Sequence, residues 1–151
     1  MRNFVIDTTR GLTAAGVLLS AVVHLDLWAQ GFRSVATIGP LFLLNFIGGM
    51  VIGIVVLVWR HWLPALAAAG FGAVTVIFFW ISVVHGLFGV KETATGESEI
   101  LAQVAEYGAF AFGIIVVLML LLRRGRGGHL PIRTSTRPNR QPVVTHTQPR
   151  G

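Results

Sequence analysis

Cysteine is absent from the 151 residues. That excludes disulfides and any thiolate metal site. Charge is scarce: 12% of the residues are Asp, Glu, Lys or Arg, against about 25% in soluble domains. The scarcity is also patterned. None of these four residue types falls between Arg10 and Asp26, between Arg33 and Arg60, between Arg60 and Lys91, or between Glu106 and Arg123. Each gap has room for a bilayer-spanning helix of roughly 20 residues, the first only if Asp26 sits at the interface. No catalytic motif and no substrate-sized polar domain interrupts the pattern. A non-enzymatic protein is therefore expected.

What is present is apolar: 54% of the chain is hydrophobic. Four spans follow, at about 11–29, 39–59, 64–86 and 100–122. The expected fold is an all-α, four-helix transmembrane bundle over 11–122, preceded by a short cytoplasmic N-terminus, 1–10. Pro40 and Pro64 fall in first turns, where the missing N–H had no partner. Ser98 is the expected N-cap of the fourth span, with Glu99 at the positive end of the helix dipole. A cleaved signal peptide over residues 1–31 is the rival reading. Asp26 and Trp28 just before its small-x-small site argue against it.

Arginine placement sets the expected orientation. Arg2, Arg10, Arg60 and seven arginines of the last 29 residues lie to one side of the spans, and only Arg33 and Lys91 lie to the other. Both termini of this multi-pass protein are thus expected in the cytoplasm. Trp28 would mark the outer interface, and Trp59 and Trp62 the inner one. The stretch 123–151 has four prolines, seven arginines and no apolar periodicity, so a disordered basic tail is expected. Arg123, Arg124 and Arg126 would attract anionic lipid headgroups, by about 1 kcal/mol each. No aromatic residue is interleaved with the arginines, which argues against nucleic acid as a partner. A larger membrane complex or a homo-oligomer remains open.

Histidine is the informative residue. His24 and His85 each follow a Val-Val pair, 61 positions apart. Sliding the chain by that interval also places Gly11 on Gly72, Asn45 on Glu106, and Ile54-Val55-Val56-Leu57 on Ile115-Val116-Val117-Leu118. The register suggests two duplicated hairpins related by a pseudo-twofold along the membrane normal. Helical spacing groups Thr13, Gly16, Ser20 and His24 on one stripe of the first span, and Asn45, Gly49 and Gly53 on one of the second. Thr75, Phe78, Ser82 and His85 share a stripe of the third, and Gln103, Glu106, Phe110 and Gly113 one of the fourth. Small and polar residues mark helix–helix faces in lipid, so Gly16, Ser20, Gly49, Gly53 and Ser82 are expected to pack helices. His24, Asn45, His85 and Glu106, with Gln103 nearby, are expected to form a polar layer. At 1.5 Å per residue His24, Asn45 and Glu106 lie about 7–9 Å below the outer interface.

An ionisable group at that depth is a functional candidate by default. Three readings stay open. The layer fixes helix register in an accessory or structural membrane component. Alternatively, His24 and His85 ligate haem b axially, or join Glu106 on a divalent metal. In the third, Glu106 shares its proton with a histidine in a proton-coupled small-solute transporter. His61 is read as interfacial, and His129 and His146 lie in the tail.

The preference for Arg over Lys and the stretch RSVATIGPLFLLNFIGG, which runs from an outer loop into the second span, resemble small four-helix integral membrane proteins of high-GC actinobacteria. The resemblance covers about residues 10–122. It implies a plasma-membrane protein and brings no activity with it.

Overall fold

A computed structural model describes residues 2–86 and 96–127. The described residues form four helices, α1 (Arg2–Gln30), α2 (Ile38–Val58), α3 (Trp62–His85) and α4 (Glu97–Gly127), with a 3₁₀ turn at Phe32–Ser34. The fold is an all-α four-helix bundle. Each helix is long and apolar enough to cross a membrane. The shortest, α2, has 21 residues, about 32 Å of rise against a hydrocarbon core of about 30 Å. Large apolar side chains such as Leu44, Val51, Leu57, Val74, Val104 and Leu118 face outward and are exposed, which suits lipid rather than water. The expected disordered tail, 123–151, begins too early: residues 123–127 continue α4, and 128–151 lie outside the described residues, as do 87–95 between the third and fourth spans.

Helix ends follow from local chemistry. The N–H of Trp59 closes α2 on Val55 O at 2.9 Å. His61 then starts α3, its Nδ1 accepting from Leu63 N at 3.3 Å. Gly86 ends α3 with φ 76° and returns its N–H to Ser82 O, a left-handed position that a Cβ would strain. α4 begins one residue before the expected cap. Gly96 O accepts from Ile100 N at 2.9 Å, so Ser98 lies inside the first turn between Glu97 and Glu99.

α1 starts nine residues earlier than the apolar run that predicted it, and Arg10 explains why. Its side chain is buried, and its Nη2 donates to Val56 O and to Leu57 O. Those are orphan carbonyls at the negative end of α2, where a cation is stabilising. The charge that seemed to mark the membrane boundary is spent sideways on a neighbouring helix, so α1 continues past it. At the same end Arg60 pairs with Asp7 at 3.0 Å, and Arg124 Nη2 donates to His61 Nε2 at 2.9 Å.

The helices close in the order α2, α1, α4, α3. The pairs α1–α2, α1–α4 and α3–α4 pack extensively, whereas α2 and α3 touch much less. The core is made of small residues: Ala14, Ala21, Ala65, Ala68, Ala69, Ala105 and Ala109 are buried around Val17, Val56 and Val116. Lipid does not compete to drive burial, so close van der Waals approach supplies the stability. Gly16 sits where a Cβ would lie 2.8 Å from Ala105 O. Gly49 packs on Ala21, Gly53 on Leu18, and Gly113 on Ala65 and Ala69.

Candidate functional site

The polar layer assembles around Glu106. This residue is 2% exposed, on the face that α4 turns to α1. Ser20 Oγ donates to Glu106 Oε1 at 3.2 Å. One turn further along α1, His24 Nε2 stands 3.9 Å from the same oxygen. His24 Nδ1 lies 2.8 Å from Ser20 O. A carbonyl only accepts, so Nδ1 carries the proton and Nε2 presents its lone pair. The free ring nitrogen of His24 thus faces the carboxyl group of Glu106. The His24 ring meets Phe42 of α2 edge-on, with centroids 5.2 Å apart at 83°. The cluster therefore ties α1 to α4 and touches α2.

This cluster forms one wall of a cavity of about 370 Å³. The cavity occupies the loose seam between α2 and α3. Its apolar walls include Phe42, Phe71, Phe78 and Phe79, and its polar groups are His24, Asn45, Thr75, Ser82, Glu99 and Glu106. Leu41, Leu44, Val74 and Phe78 line it while remaining exposed, so it opens sideways between the two helices. The size matches small-molecule sites, which run roughly 300–1,000 Å³ and are mostly apolar with a few placed polar groups.

Asn45 and Ser82 both line this cavity. Ser82 is buried. Asn45 Oδ1 is buried without a hydrogen-bond partner, a state that costs about 1–3 kcal/mol. Gln103 stays on its own helix, donating to Glu99 O at 3.4 Å. Phe110, of the same expected stripe, is exposed.

His85 departs from the expected layer. It is the last residue of α3, is exposed, and is not among the cavity residues. α1 and α3 sit diagonally across the bundle, so the structure does not bring His85 to His24. Among the described residues no group of three His, Cys, Asp or Glu side chains is placed to hold a metal ion. The shared site of His24, His85 and Glu106 is therefore not assembled here. Arg124 turns to His61 rather than standing free at the helix end, Arg123 is half-buried, and the Arg126 side chain lies outside what is described.

Sequence reasoning missed the roles of Arg10 and Glu99 and, apart from Phe78, the phenylalanines of the cavity. Helical spacing from Asn45 would have found some of them: Leu41, Phe42, Asn45 and Gly48 share a stripe of α2, as do Phe71, Thr75, Phe78 and Ser82 on α3 and Glu99, Ala102 and Glu106 on α4.

No family model, no curated protein and no solved structure matches the chain.

Proposed function

We propose that this is a plasma-membrane binding component, not an enzyme, that takes a small apolar molecule from the outer leaflet into the cavity between α2 and α3. The observation that carries the reading is the cavity itself: an aromatic chamber with a sideways opening and one polar wall, built on Ser20, His24 and Glu106. The same wall links α1 to α4, so it also sets their register, the role an accessory membrane component needs. The outer-leaflet placement follows from the arginine asymmetry. A periplasm-only reporter fused after Ala94 should be active and one fused after Arg140 silent; the reverse pattern would turn the cavity to the cytoplasm.

Naphthalene tests the binding role. It should raise the unfolding temperature of the detergent-solubilised full chain in a saturable way, since a ligand of the folded state alone stabilises it by mass action. Gly48→Phe should abolish the rise. Gly48 lines the cavity, and a Cβ there meets nothing within 4 Å, so the variant fills the chamber without straining the backbone. Gly70→Phe, on an exposed and equally open position, should leave the rise intact. No saturable rise in the parent protein, or an undiminished one in Gly48→Phe, would overturn the reading.

A proton-coupled transport reading has one observation in its favour. The His24–Glu106 pair lines the chamber, where an occupant could displace a proton. Release of a proton to the medium on naphthalene binding, absent in Glu106→Gln, would support it.

A further inference from the structure

We infer that the cavity between α2 and α3 selects a hydroxyl-bearing aromatic of one or two rings, whose O–H donates to the hydrogen-bond acceptors presented by Asn45 and Thr75. The inference rests on the binding role above and names the ligand class for that site.

The selectivity comes from where the protons are already used. Thr75 Oγ1 donates to Phe71 O at 2.9 Å and reaches Gly72 O at 3.1 Å, so towards the cavity it offers lone pairs. Asn45 Oδ1 is a buried acceptor that no donor among the described residues reaches. Two cavity-lining side chains, from α2 and α3, thus turn acceptor lone pairs to the cavity, and that of Asn45 needs a donor from outside. A water molecule meets that need only in a roomy polar pocket with two to four partners, and here most of the wall is apolar. An ammonium would donate too, but removing it from water costs far more than removing a neutral hydroxyl. A phenolic O–H is a strong neutral donor on an apolar body.

Size and shape point the same way. An apolar cavity of about 150 Å³ admits benzene, so about 370 Å³ leaves room for two fused rings. Phe42, Phe71, Phe78 and Phe79 supply edges and faces for ring packing, which aromatic ligands exploit beyond their buried area. The exposed rim between α2 and α3 admits a molecule already dissolved in the bilayer.

The test compares 2-naphthol with 2-methoxynaphthalene, which keeps the rings and the oxygen but loses the donor. Both are titrated calorimetrically against the full chain in detergent, referenced to partition into empty micelles. We expect 2-naphthol to bind at least 10-fold tighter. Asn45→Leu should reduce that preference to under twofold while 2-methoxynaphthalene still binds, which shows the chamber intact. Thr75→Val, which keeps the side-chain shape and gives up only a bond within α3, should reduce it several-fold. Equal binding of the two ligands to the parent protein, or an unchanged preference in both variants, overturns the donor inference and leaves the apolar binding role standing. Failure of both ligands to bind overturns the two together.

Discussion

Where α1 meets α4, a Cβ added at Gly16 would stand 2.8 Å from Ala105 O and 2.9 Å from Ala109 N. Where α2 meets α3, most of the comparable positions carry bulk, Gly48 excepted. The 61-residue register places Gly16 on Ile77, Val17 on Phe78 and Ser20 on Ile81; it places Ala102 on Leu41, Ala105 on Leu44 and Ala109 on Gly48. A perfect pseudo-twofold would make these two faces identical. The hairpins α1–α2 and α3–α4 do pack to the same extent, but the α2–α3 face stays open while the α1–α4 face closes. Glycine, alanine and serine let backbones approach; leucine, isoleucine and phenylalanine hold them apart, and in lipid no hydrophobic force draws them back together. The cavity lies at the seam that lacks the run of small residues found between α1 and α4.

The comparison also accounts for the unequal histidines. His24 follows the small stripe of α1 into the closed face and reaches Glu106. His85 follows Ile77 and Ile81 on α3, both exposed, and is exposed itself. Asn45, the counterpart of Glu106, is left on the open side with Oδ1 unpaired. The polar cluster is completed on the closed face, and Asn45 lines the cavity on the open one.

The largest expected effect tests the closed face. Gly16→Leu would drive a side chain into the backbone of α4 at Ala105 and Ala109. Overpacking of this kind costs typically 1–3 kcal/mol and occasionally more. Because the clash is with backbone, we expect about 3 kcal/mol or more, read as loss of the folded state in steric-trapping or SDS-unfolding measurements. A Gly16→Leu protein as stable as the parent would mean that α1 and α4 are not in close contact.

Much of this was legible before the structure. The charge gaps located four spans, because charge is what a bilayer excludes. The stripes of Ser20 and Gly16, and of Asn45 and Gly49, identified inward faces, because small and polar residues have little other use in lipid. Two things were hidden. Arg10 looked like a boundary, since a sequence shows a charge but not the helix end two turns of another chain segment away that needs it. The 61-residue register suggested symmetry where only half of it is kept. Matched histidines and valines outweighed the mismatched pairs Ala105/Leu44 and Gly16/Ile77, although it is those pairs that decide how near the helices come.

An intermediate effect tests the cluster. Ser20→Ala removes the donor to Glu106 Oε1 without adding volume to the closed face. Interhelical hydrogen bonds in membranes contribute about 0.6 kcal/mol on average and at most about 1.7. With Glu106 almost fully buried, we expect about 1 kcal/mol of destabilisation in the same unfolding measurement. A loss approaching that of Gly16→Leu would make the hydrogen bond, rather than close packing, the main tie between α1 and α4. No loss would mean that Glu106 takes nothing from this serine.

The smallest effect is expected from the same substitution as the largest, placed on the other face. Gly48 is the register counterpart of Ala109, and it lines the cavity with nothing within 4 Å of a Cβ. Gly48→Leu adds a side chain to empty space, and leucine is a better helix former than glycine by several tenths of a kcal/mol. These terms oppose the loss of side-chain freedom, so we expect a net change within about 0.5 kcal/mol of zero. Its neighbour provides the internal control. A Cβ at Gly49 would lie 2.8 Å from Ala21 Cβ and 3.1 Å from Phe71 Cζ, so Gly49→Leu should destabilise by about 1–3 kcal/mol, as overpacking does. Adjacent residues on one helix would then differ because one faces the closed α1–α2 packing and the other the open seam. If Gly48→Leu is as damaging as Gly49→Leu, α2 and α3 meet as tightly as α1 and α4, and the two faces are alike after all.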